Sequence, residues 1–127
     1  MELREMRRIA DHETRQYRTY KAYLKGYEDG GGDGTLALYV QRARWVWAVE
    51  RVLEQIAAQD GTKAAFFRRY YGLDRPTRRR SDADCMLRLG MELCVSEAGL
   101  YKWRDEILTM LAVAGAQVKA FRPYEVQ

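Results

Sequence analysis

Between Leu89 and Arg104 the sequence reads Leu-Gly-Met-Glu-Leu-Cys-Val-Ser-Glu-Ala-Gly-Leu-Tyr-Lys-Trp-Arg. The spacing matches what two helices joined by a tight turn require. Gly90 is a small residue where a second helix can cross closely. A turn follows at Cys94, and Leu100 and Trp103 sit where the second helix must pack inward, with Leu89, Leu93 and Val95 completing the apolar contacts. Ser96 is placed to cap the second helix with its hydroxyl. That leaves Glu97, Ala98, Tyr101, Lys102 and Asp105 on the outward face. In a helix-turn-helix such a face enters the DNA major groove, its N-terminal residues nearest the base edges. Lys102 can donate to guanine O6 or N7, and Glu97 can accept from cytosine N4. Two positions depart from the commonest pattern: Cys94 stands where glycine is usual, and Gly90 where alanine is usual.

The charge distribution supports a polyanion partner. Of 22 basic and 18 acidic residues, residues 63–104 alone carry 10 and 5, a local charge of +5. The other segments balance to within one charge: +1 over residues 1–29, −1 over 30–62 and −1 over 105–127. Clustering of this kind, more than the overall pI near 9.2, is the footprint of nucleic acid. Arg78, Arg79, Arg80 and Arg88, with Ser96 and Arg104, are the expected contacts to the phosphate backbone, which position a protein without reading sequence.

Other chemistry is poorly supplied. His12 is the sole histidine, which removes His-pair metal sites and histidine-based triads. Cys85 and Cys94 lack the number and spacing of a zinc site; both are expected to be buried thiols. Asp82 and Asp84 read as helix-start acids facing the positive dipole end. The glycine-rich run at residues 30–34 has no following Gly-Lys-Ser/Thr, nor a calcium loop's ligand alternation, and reads as a linker. Trp45 and Trp103 are expected inward, with Trp47 less committed. No catalytic residue, metal or cofactor is expected. No run of about 18 apolar residues indicates a membrane span, and the charged stretch from Met1 to Arg8 offers no secretory leader. A reducing cytoplasm is the expected compartment.

These residues must be positioned by helices, because no segment shows the sustained alternation of a strand. At 127 residues and 14.9 kDa, the expectation is an all-α chain of about five helices ending in a helix-turn-helix. Residues 1–29 read as one long amphipathic helix with a tyrosine-rich seam (Tyr17, Tyr20, Tyr27), packing in cis or against a second copy. Residues 35–120 read as the DNA-binding domain, with a helix over 35–59 capped by Thr35. A shorter helix capped by Thr62 runs to Tyr71, where Phe66 and Tyr70, and Phe67 and Tyr71, form pairs four apart. Gly72 follows that helix. Ser81 caps a helix from about 82 to 93, and the last helix runs from Ser96 to about 114, placing the helix-turn-helix at about 82–114. Residues 121–127 read as a tail, since Pro123 ends any helix.

Three stretches carry a resemblance to a known family. They are His12-Glu13-Thr14-Arg15-Gln16-Tyr17-Arg18-Thr19-Tyr20-Lys21; Ala48-Val49-Glu50-Arg51-Val52-Leu53 followed by Phe67-Arg68-Arg69-Tyr70-Tyr71; and Val95 through Leu108, ending in Leu111-Ala112. Together they resemble the small phage late-gene transcriptional activators of the ArpU and RinA type, whose C-terminal half is similar to sigma factor region 4. The resemblance implies binding to promoter-region double-stranded DNA and activation of late or packaging genes, and no catalysis; RNA polymerase is a further candidate partner. A homodimer would double the contacts of one short recognition helix. Two other readings fit the same residues. One is a small terminase-like DNA-packaging subunit. The other is a helical adaptor that binds RNA polymerase or a phage protein through the tyrosine seam, without DNA.

Overall fold

The computed structural model describes residues 1–30, 34–77 and 81–121. The middle of the glycine-rich linker, Arg78, Arg79, Arg80 and the tail beyond Phe121 lie outside the described residues. Among those described, every regular element is a helix: α1 (Leu3–Arg15), α2 (Tyr17–Glu28), α3 (Leu36–Gln59), α4 (Gly61–Tyr71), α5 (Asp82–Leu93) and α6 (Glu97–Gln117). None of them is long and apolar enough to cross a membrane.

The first correction is at the N-terminus. The long helix expected over residues 1–29 is two, broken at Gln16, whose ψ of 4° leaves the helical range. Neither glycine nor proline causes the break. Ile9, Ala10, Glu13 and Thr14 of α1 are buried, and α1 lies against α6, whereas α2 lies against α3. One straight rod cannot follow both partners, so the chain turns between them. The Glu13 carboxylate, which accepts from the Tyr20 hydroxyl, bridges the break.

The tyrosine seam is taken up within the chain. Tyr17 donates to Glu50 at 2.7 Å and Tyr39 to Glu28 at 2.7 Å. The Tyr27 and Tyr39 rings meet at a tilt with centroids 4.6 Å apart, and the Arg42 guanidinium lies 4.2 Å from the Tyr23 ring. These contacts lay α2 along α3 as a polar, half-buried layer instead of leaving an apolar face bare.

The core runs beneath this layer and joins α1 to α3–α6. Ile9 and Ala10 pack in the same cluster as Trp45, Val49, Val52, Phe66, Phe67, Tyr70, Met86, Leu100, Ile107 and Leu111. Residues 1–29 therefore share a core with the segment expected to form the DNA-binding domain. Phe66 stacks on Tyr70 at 5.3 Å and Phe67 meets Tyr71 edge-on at 5.6 Å, as their spacing implies. Phe121, assigned to the tail, is buried and meets Trp45 edge-on at 5.0 Å. Trp47 is 46% exposed.

Capping chemistry sets the helix starts. Thr35, Ser81 and Ser96 accept from the amides of Leu38, Asp84 and Gly99 at 3.1–3.2 Å. At α4 the cap is Asp60, not Thr62. Its Oδ1 accepts from the amides of both Thr62 and Lys63, at 3.0 and 3.1 Å. A carboxylate takes two free amides at once and also faces the dipole, which the Thr62 hydroxyl cannot match.

Two helices end on a left-handed residue. Gly72 closes α4 with a φ of 65°. Cys94 closes α5 in the same conformation, at φ 57°, and its thiol is exposed rather than buried as expected. The turn conformation decides this, because it swings the side chain away from the packed side of α5. The close approach expected at Gly90 is present: a Cβ there would lie 2.8 Å from the Val95 carbonyl oxygen. Since the obstacle is backbone, Gly90→Ala is expected to destabilise the fold by about 1–3 kcal/mol. Cys94→Gly removes a left-handed Cβ and is expected to add about 1 kcal/mol. Denaturant unfolding of both variants checks these opposite signs.

Candidate nucleic-acid interface

The unit formed by α5, the turn at Cys94 and α6 is held from inside by side chains that the spacing had placed there. Leu89 and Leu100 are buried, and Leu93, Val95 and Trp103 are half-buried against the core. The Gly90 carbonyl accepts from the amides of both Cys94 and Val95, the latter at 3.0 Å. These bonds close the turn and fix where α6 begins.

The outward residues separate into two groups. Glu97, Ala98 and Lys102 are exposed, and Ser96 is bound to the amide of Gly99. Tyr101 and Asp105, further along the same face, are engaged by the protein. Asp105 pairs with Arg7 of α1 at 3.2 Å and with Arg104 at 3.8 Å. The Arg104 guanidinium lies 5.0 Å from the Tyr101 ring and pairs with Asp82 at 3.4 Å. Arg104, expected on the DNA backbone, is thus held by carboxylates of the fold.

Four further arginines gather around an open groove of 740 Å³ between α4, the following loop and α5. Arg68, Arg69, Arg75 and Arg88 line it with Asp74 and Glu92. Arg69 pairs with Glu92 at 2.8 Å and Arg68 approaches Asp74 at 3.9 Å. Arg75 and Arg88 have no ion pair among the described residues. The expected phosphate contact Arg88 therefore joins Arg75, which belongs to the same arginine-rich loop as Arg78–Arg80 in the sequence but was not among the expected phosphate contacts. Arg78, Arg79 and Arg80 lie outside the described residues.

The sequence reading also missed α1. Arg4, Arg7, Arg8 and Arg15 contribute to a second arginine cluster beside α6. Segment charge hid them, because nearby acids reduce residues 1–29 to +1. Their spacing of three, four and seven, which puts Arg4, Arg8, Asp11 and Arg15 on one helical face, was the available signal.

A polar network fixes α6 against the other helices. Tyr70 donates to Asp82 at 3.1 Å, and Arg15 reaches the Tyr70 hydroxyl at 3.5 Å. Tyr71 donates to Asp11 at 2.8 Å. Burial, with Asp11 beside it, raises the Tyr71 hydroxyl well above the ordinary phenol range, so it remains a donor throughout the physiological range. On the opposite flank Lys63 of α4 donates to Glu106 of α6 at a distance of 2.5 Å. That hydrogen bond holds the Glu106 carboxyl below its ordinary range.

The chain matches no protein-family model, no curated protein and no solved structure.

The Lys63–Glu106 pair has a definite pH signature. A depressed carboxyl stabilises the fold above its unfolded-state pKa and loses that contribution as pH falls through the folded value. Carboxyl-detected NMR is expected to show Glu106 titrating below a free glutamate, and Lys63→Met should bring it back up.

Proposed function

We propose that α5, the Cys94 turn and α6 form a helix-turn-helix, and that the protein is a sequence-specific DNA-binding transcriptional regulator. One observation carries the reading. Two capped helices meet at a left-handed turn with backbone contact at Gly90, leaving Glu97, Ala98 and Lys102 of α6 exposed. Glu97, Ala98 and Lys102 are the residues to meet base edges, with Tyr101 at their margin. Arg88 and Arg75, in the groove beside α5, are the residues to meet phosphates, consistent with a first helix that crosses the backbone.

The resemblance noted from the sequence adds the finer reading: a phage or prophage late-gene activator at promoter-region DNA. On the adaptor reading, the tyrosine seam is half-exposed, with Tyr17 and Tyr27 in contact with α3.

Base-reading and phosphate contacts respond differently to mutation. Lys102→Ala is expected to weaken binding to a preferred duplex by about 1–3 kcal/mol and to relax base preference at one position. Arg88→Ala should weaken all duplexes equally and reduce the salt slope by about one. Titrations of preferred and scrambled duplexes at several salt concentrations measure both effects. Equal losses on the two duplexes for Lys102→Ala would remove it from base reading.

A further inference from the structure

A pocket of 300 Å³ opens where α1, the start of α5 and the middle of α6 meet. Five arginines line it, Arg4, Arg7, Arg8, Arg15 and Arg104, against only three carboxylates, those of Asp11, Asp82 and Asp105. Arg8 is also paired with Glu5, just outside the lining, so five guanidinium groups stand against four carboxylates and the local excess is one positive charge.

Hydrogen bonding shows a matching deficit. Arg15 holds Asp11 at 3.2 Å, Arg7 holds Asp105 at 3.2 Å and Arg104 holds Asp82 at 3.4 Å. Each of the three still has a guanidinium nitrogen shut away from solvent without a hydrogen-bond partner: Arg7 Nε, Arg15 Nη1 and Arg104 Nε. Buried donors are normally satisfied; these three lie just beneath the lining of one pocket, where an acceptor meets them once the guanidinium groups turn toward it. Arg4, at its exposed rim, has no ion pair among the described residues. The site is short of acceptor oxygens and of negative charge together.

We propose that this pocket binds a phosphate group. A tetrahedral phosphate offers several oxygens to guanidinium groups arriving from different directions, and Arg is suited to phosphate by its planar fork of donors. A carboxylate, being planar with two oxygens, satisfies one such fork at a time. The group is a phosphate ester, carried either by a free phosphorylated small molecule or by a DNA backbone passing beside α6. The pocket does not depend on the groove-reading role of Glu97, Ala98 and Lys102.

The test titrates the full chain with inorganic phosphate at constant ionic strength, against chloride, while following the arginine Nε–Hε NMR signals. Saturable shifts are expected at Arg7 and Arg104. Arg7→Gln should weaken the phosphate response by about tenfold, as loss of a charge-assisted donor would. Arg104→Lys keeps the charge but removes the Nε donor and should weaken the response as well. Circular dichroism of each variant confirms that its helix content is intact. Shifts that do not saturate, or that match those from chloride, would overturn the site, as would an unchanged response in both folded variants. A labelled duplex then identifies the source. Weaker duplex binding by Arg7→Gln, with inorganic phosphate competing, assigns the pocket to a backbone phosphodiester. Phosphate binding with duplex affinity unchanged by Arg7→Gln assigns it to a free phosphate ester. A chain that binds no duplex but passes the phosphate titration would remove the regulator reading and leave the pocket standing.

Discussion

The approach of the Val95 carbonyl to the Cα of Gly90 sets the relation between α5 and α6. A Cβ at position 90 would stand 2.8 Å from that oxygen, so only glycine lets the backbones come this close without displacement. The same residue's carbonyl receives the amides of Cys94 and Val95, which makes Gly90 both the steric gap and the anchor of the turn. Leu100 can then bury completely, and the exposed face of α6 results from that burial by helical geometry. The helix-propensity penalty of glycine at position 90, roughly 1 kcal/mol, is tolerated because any larger residue would push the turn open. Cys94 accepts a left-handed backbone for the same reason: the turn is over-determined by the packing on both sides of it.

A second layer of constraint is polar. The Arg15 guanidinium lies 5.4 and 5.3 Å from the rings of Tyr70 and Tyr71 while it holds Asp11. Tyr70 passes the connection to Asp82, and Asp82 to Arg104. Side chains on α1, α4, α5 and α6 are therefore joined in one network, and truncating a single member would leave its partners unsatisfied at a larger energetic loss than a surface ion pair represents. The network also places the arginine pocket against both helices of the α5–α6 unit, through Asp82 at the start of α5 and Asp105 in the middle of α6. A group held there would share its contacts with the elements that orient the proposed DNA-reading face.

Legibility in the sequence tracks physical locality. The caps at Thr35, Ser81 and Ser96 depend on a residue and the amides two or three positions away, and their local pattern identified them. Gly72 and the turn at Cys94 were legible for the same reason, as was the inward placing of Leu100. The break at Gln16 was not, because two distant helices cause it and no local breaker marks it. At Asp60 and Thr62 two neighbours competed for one cap, and the charge on Asp60 decided. The exposed thiol of Cys94 was missed by treating residue type as burial, although the turn had been placed correctly. The arginine cluster on α1 was hidden by summing charge over a segment, whereas the helical face keeps Arg4, Arg8 and Arg15 together.

The central claim is that α6 presents a face that reads base sequence. The most direct measurement is selection of bound duplexes from a random library by the purified full chain, at near-physiological salt, with sequencing of the recovered DNA. The account predicts an enriched motif of a few base pairs, with a palindromic repeat if two copies bind together. Recovery of no preferred sequence would contradict it, leaving Glu97, Ala98 and Lys102 as solvent-exposed residues without a part in recognition.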